Sequence, residues 1–95
     1  MVSERFYSEK ALQTISLALV SLRENETILS LCYLKEFINY IDIKDFITLG
    51  SVNNAIMSIR SGLLKTAEAE LKSAMNSFKS FRPLKVVEFK PRYKD

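Results

Sequence analysis

The chain has 95 residues, of which 47% are apolar, and carries 14 Lys plus Arg against 11 Asp plus Glu, a formal net charge of +3. That length suits one domain with one modest core. The absence of His excludes Ser-His, Cys-His and His-metal chemistry, two glycines exclude a phosphate-cradling Gly-rich loop, and one Cys excludes a disulfide framework or a Cys-based metal site.

The periodicity predicts a first helix from Ser3 to Arg23. Ser3 supplies an N-cap and Glu4 a carboxylate in the first turn. Tyr7, Ala11, Leu12, Ile15, Ala18, Leu19 and Leu22 form one broad stripe, while Phe6, Leu17 and Val20 fall on a second face. The apolar run Ile15 to Leu22 is far shorter than the roughly 20 residues that span a bilayer. Its flanks keep helical spacing and acidic residues, unlike a secretory signal. The expectation is a cytoplasmic protein without a membrane segment.

After the polar break Arg23–Thr27, with Asn25 or Thr27 as cap, a second helix is expected over about Glu26–Ile41. It is apolar on most sides. Ile28, Leu31, Leu34, Ile38 and Ile41 make one stripe, and Leu29, Tyr33, Phe37 and Tyr40 another. A small protein has little material to surround such a helix. The aromatic stripe is therefore either ordinary core, the commoner use, or a face for another chain. Cys32, in an apolar setting, reads as a buried inert thiol, in keeping with a reducing compartment.

Asp42 and Asp45 mark a turn and offer caps for the next helix; as a metal pair they lack further ligands. Beyond them Phe46, Leu49, Val52, Ile56, Ile59 and Leu63 hold a helical stripe through Gly50, although Gly50 and Ser51 are also able to open a shorter helix. A break or kink is expected at Gly62, because an unbroken helix over 45–80 is long for a small domain. The last helix carries Leu64, Ala67, Leu71, Ala74, Met75 and Phe78 on its apolar face, with Glu68 four residues before Lys72. Pro83 stops it.

The sequence thus divides into a helical bundle domain, residues 1–82, and an extended basic tail, residues 83–95. The fold class is all-α, a small bundle of three to four antiparallel helices. Residues 1–78 hold 8 basic and 9 acidic side chains, so the positive charge belongs to residues 79–95. Lys79, Arg82, Lys85, Lys90, Arg92 and Lys94 are candidate nucleic-acid contacts, with Phe89 and Tyr93 available to stack on bases. Six phosphate contacts at most would give a log–log salt slope of about −4 to −5. Val86, Val87, Phe89 and Tyr93 are also suited to adding a strand to a partner or filling its pocket.

Gly62, Ala67, Leu71 and Ala74 resemble the small-residue spacing of one tetratricopeptide helix pair. The likeness covers about twenty residues and no 34-residue repeat accompanies it, so a solenoid is not expected. Tyr33, Phe37 and Tyr40, then Asp45-Phe46, then Leu49, Gly50 and Ala55, resemble a family of short archaeal helical proteins of unknown function. In size, helicity and basic balance the chain is also similar to the small accessory subunits of archaeal family-B DNA polymerases. That resemblance implies a role in DNA replication beside a polymerase catalytic subunit, and no site residues.

No catalytic residues, metal ligands or cofactors are expected, since every catalytic template lacks a member. The functional expectation is a non-enzymatic accessory subunit that binds a larger protein. Its candidate contacts are Phe6, Leu17, Val20, Tyr33, Phe37 and Tyr40 with the tail residues Val86, Val87, Phe89 and Tyr93. The alternatives are weak nucleic-acid binding through the tail and a self-associating bundle, such as a homodimer.

Overall fold

The computed structural model describes residues 4–81, with side chains from Glu9 onward. It consists of four α-helices: α1, Glu4–Arg23; α2, Thr27–Ile38; α3, Phe46–Arg60; and α4, Leu64–Ser80. No strand is present among the described residues. Helix α1 packs on α2, α2 on α3, α3 on α4, and α4 returns to α1, while the diagonal pairs make no close backbone approach. Short connections reverse the chain each time, so the bundle is antiparallel. The tail of residues 83–95 and the Ser3 cap lie outside the described residues.

The α1–α2 and α3–α4 connections are built alike. At the end of α3, Gly62 takes φ 81°. Its N–H donates to the Ile59 carbonyl at 3.1 Å, and the Leu63 N–H donates to the Ser58 carbonyl at 2.8 Å. This paired arrangement is a Schellman motif. At the end of α1, Asn25 takes φ 63°. Its N–H donates to Leu22 O at 3.1 Å, and the Glu26 N–H donates to Ser21 O at 2.8 Å. The break expected at Gly62 is therefore present. Asn25 is not the N-cap of α2 but the left-handed residue that closes α1, a position Asn tolerates better than most. Thr27 does not cap either; Glu26 stands at the N-cap without a side-chain bond. Gly62→Ala is expected to cost about 1–2 kcal/mol. Open space surrounds the site, so the cost is conformational. Urea unfolding should show a lowered midpoint with an unchanged slope.

Of the two aspartates expected as caps in the α2–α3 turn, Asp45 serves as one and Asp42 instead braces the turn itself. Asp45 Oδ1 accepts from the Thr48 N–H at 3.1 Å and caps α3, and Asp42 Oδ1 accepts from the Lys44 N–H at 2.8 Å. Helix α3 runs straight through Gly50.

Helices α1 and α3 correspond at an offset of 37 positions, from Arg23 to Arg60, and so do α2 and α4. Ala18/Ala55, Ser21/Ser58, Arg23/Arg60, Leu34/Leu71 and Lys35/Lys72 are identical pairs; Ile15/Val52, Leu19/Ile56 and Leu22/Ile59 are conservative ones. The same operation carries the α2/α3 contact onto the α4/α1 contact. The bundle is thus two equivalent helical hairpins related by an approximate two-fold axis.

The core lies between the hairpins and includes Ala11, Ile15, Ala18, Leu22, Leu34, Phe37, Ile41, Val52, Ala55, Ile59, Ala67, Leu71 and Ala74. Small residues lie at matching buried positions of the two hairpins. In the first hairpin the Ser30 hydroxyl donates to the Ala18 carbonyl at 2.8 Å, with both residues fully buried. In the second hairpin the matching positions are Ala55 and Ala67, also fully buried. Phe37 and Phe78 meet across the core at a ring separation of 5.4 Å, tilted by 60°.

Among the described residues, one buried side-chain polar atom has no partner: the Thr48 hydroxyl. Its equivalent in the first hairpin is Ala11. Thr48→Val keeps the shape and removes the orphan oxygen, so it should raise stability by about 1 kcal/mol. Calorimetry should record an increase of roughly 4–8 °C in Tm.

Candidate functional site

The buried line of α2 is Ser30, Leu34 and Phe37, continued by Ile41. It runs between the two apolar stripes that the sequence suggests, because the serine leading it satisfies its hydroxyl on α1. This placement sorts the aromatic stripe. Phe37 is fully buried and Tyr40 is buried, with its hydroxyl 3.4 Å from Glu36 Oε2. Both belong to the packing of this chain rather than to an open face. Tyr33 is half-buried against the core. Leu17 and Val20 are exposed on α1, at 43% and 48%. Lys79 is exposed in the last turn of α4. The Phe6 side chain, Arg82, Lys85, Val86, Val87, Phe89, Lys90, Arg92, Tyr93 and Lys94 lie outside the described residues.

With the buried line turned inward, Ile28 and Cys32 are left outside. Ile28 is 78% exposed, and Cys32 is exposed rather than buried. The thiol differs from expectation because apolar sequence neighbours on a helix do not share a face. These two residues, with Leu31 and Lys35 of α2 and Ile56 and Arg60 of α3, line an open groove along the α2–α3 seam. Its floor is apolar and its charged groups are both cationic. Neither Lys35 nor Arg60 makes an ion pair with a described residue.

The two-fold relation places a second seam between α4 and α1, where the corresponding residues are Lys65, Glu68, Ala69, Lys72, Leu19 and Arg23. That seam is closed by charge. The Arg23 guanidinium holds Glu68 through Nε at 3.1 Å and Nη2 at 3.0 Å, and Lys72 Nζ reaches the same oxygen at 3.4 Å. The Arg23 hydrogen bond, with smaller effects from the charges of Arg23 and Lys72 and from the Lys72 hydrogen bond, holds the Glu68 carboxyl below its usual value against a weaker opposing effect of desolvation. The α2–α3 seam keeps both cations of this cluster, as Arg60 and Lys35, but has Leu31 where the carboxylate stands.

Sequence reasoning missed Ile28, Leu31, Lys35, Ile56 and Arg60 as a group. The available signal was the offset of 37 positions, which sets Leu31 against Glu68 between matched cations.

A second apolar area lies at the opposite end, where Phe46 is 74% and Ile47 73% exposed at the start of α3. Among the described residues, no group of three or more His, Cys, Asp or Glu side chains is placed to hold a metal ion, and no helix is long and apolar enough to cross a membrane. No protein-family model, no curated protein and no solved structure matches the chain.

Proposed function

We propose that this protein is a non-enzymatic adaptor that binds a larger protein through the outer surface of its helical bundle. The observation that carries the reading is the apolar surface left over once the core is filled: Ile28, Phe46, Ile47 and Met57 are each two-thirds or more exposed. Ile28 belongs to the α2–α3 groove and Phe46 and Ile47 to the area at the start of α3, and exposed apolar areas mark interaction surfaces. Their distribution favours a partner, since the matching positions Lys65, Glu9 and Lys10 are charged while Ile28, Phe46 and Ile47 are apolar. An accessory subunit of a nucleic-acid-processing complex, such as an archaeal family-B DNA polymerase, is the specific form of the proposal. It rests on the resemblance in size, helicity and basic balance. The tail cations then contribute nucleic-acid contact as a supplement.

The test is affinity capture from native lysate with the full chain, read by mass spectrometry and by stoichiometry. One partner near equal molar ratio is expected, with weaker capture when residues 83–95 are removed. A chain that recovers nothing above a control bead, and elutes as a monomer, contradicts the reading.

A further inference from the structure

We infer that the α2–α3 groove is the docking site for an acidic amphipathic helix whose carboxylate bridges Arg60 and Lys35 from outside, over Leu31, as Glu68 bridges Arg23 and Lys72. The inference rests on the adaptor reading and names the chemistry of its partner.

The closed seam serves as the internal precedent. There one carboxylate joins the end of α1 to the start of α4 by bridging two cations. By the two-fold relation Arg60 stands where Arg23 stands, and Lys35 where Lys72 stands. Leu31 occupies the position of Glu68, so the cations remain while the anion is missing. Around Leu31 the floor is apolar: Ile28 stands at the position of Lys65, Cys32 at that of Ala69, and Ile56 matches Leu19. A surface that only needed solubility would keep the charges of the closed seam. An apolar floor rimmed by two cations without a carboxylate between them instead complements a helix that carries apolar residues one turn apart and an acidic residue between them. The apolar residues supply area removed from water, and the carboxylate fixes register between the cations.

A bound helix would shield the ion pairs from water, and hydrogen bonds between charged groups are the stronger ones. Removing the carboxylate should therefore weaken binding by about tenfold or more.

The probe is a synthetic amphipathic peptide with leucines one turn apart and a single Glu between them, alongside the same peptide with Gln. Each is titrated into the 15N-labelled full chain. The expected result is amide shifts concentrated in residues 28–35 and 56–60, with the Gln peptide at least about tenfold weaker. Lys35→Gln/Arg60→Gln, which alters only exposed side chains, should erase the difference between the two peptides while the spectrum stays folded. Equal affinity of both peptides overturns the inference. So does binding mapped elsewhere, a single-stranded oligonucleotide that claims Lys35 and Arg60 in place of the peptide, or concentration-dependent self-association through the groove. If the double variant captures the lysate partner as well as the native chain does, the groove is wrong and the adaptor reading stands. If neither captures a partner, the adaptor reading fails.

Discussion

Phe37→Ala is expected to remove about 3–5 kcal/mol of unfolding free energy. Phe37 is among the largest fully buried side chains and sits where α2 and α4 face one another across the core. Its counterpart in the second hairpin is Ala74, so the two hairpins do not share this volume evenly. One large ring from α2 fills the centre, and Phe78 of α4 packs against it. Truncation leaves a cavity that short, tightly connected helices cannot collapse to fill. A domain of this size holds about 5–15 kcal/mol in total, so much of the margin disappears. Far-UV circular dichroism against urea should show the midpoint falling with the slope retained. Phe37→Leu keeps an apolar side chain at the site and should lose less. Phe78→Ala combined with Phe37→Ala should fall short of the sum by about 0.5–1.5 kcal/mol, the coupling of the ring pair.

Ala18→Leu is the second large effect, with the opposite cause. The Ser30 hydroxyl lies 2.8 Å from the Ala18 carbonyl, so α2 passes within a short side chain of the α1 backbone. A leucine at Ala18 has no space there and forces the helices apart, at about 1–3 kcal/mol. It also pulls Ser30 away from its acceptor, leaving a buried hydroxyl unsatisfied at about 1–3 kcal/mol more. Ala55→Leu tests the equivalent crossing and should lose the overpacking part only, because Ala67 has no hydroxyl to strand. Leu17→Ala, one residue from Ala18 on the exposed side, should stay within about 0.5 kcal/mol of the native chain. Thermal unfolding of the three variants separates the causes.

These two effects show which features the sequence makes legible. Apolar periodicity identifies the helices because burial has to repeat with the helical turn, and Asp45 and Gly62 are read correctly because few residues suit a cap or a left-handed closure. Asn25 is misread because Asn serves both an N-cap and a left-handed C-terminal position, and only the backbone decides between them. Ser30 hides the buried line of α2: as a polar residue it looks like surface, and its acceptor lies twelve residues away in sequence. That shift in phase is also why Phe37 and Tyr40 belong to the core and Cys32 to the surface. The correspondence between the hairpins is faint because only tightly packed positions, such as Ala18 and Ala55, restrict residue type. Most other positions tolerate any apolar or any polar side chain.

The candidate groove was hidden for a related reason. Lys35 and Arg60 are ordinary solvated cations when each is viewed on its own helix. Their meaning comes from Arg23, Glu68 and Lys72 across the two-fold axis, where the same cations have an anion to hold. Acidification acts on that closed seam in a defined direction. The Glu68 carboxyl is held below its usual value in the folded chain, so its contribution is present above the ordinary carboxylate range. It is lost as pH falls through the lowered folded value. Glu68→Gln should flatten the acid limb of stability against pH.

One seam is open where its equivalent is closed, and matched variants test this directly. The affinity of the Glu-bearing amphipathic peptide should fall at least about tenfold in Lys35→Gln/Arg60→Gln and stay within about twofold of native in Arg23→Gln/Lys72→Gln. Equal losses in both variants, or no loss in the first, would contradict it.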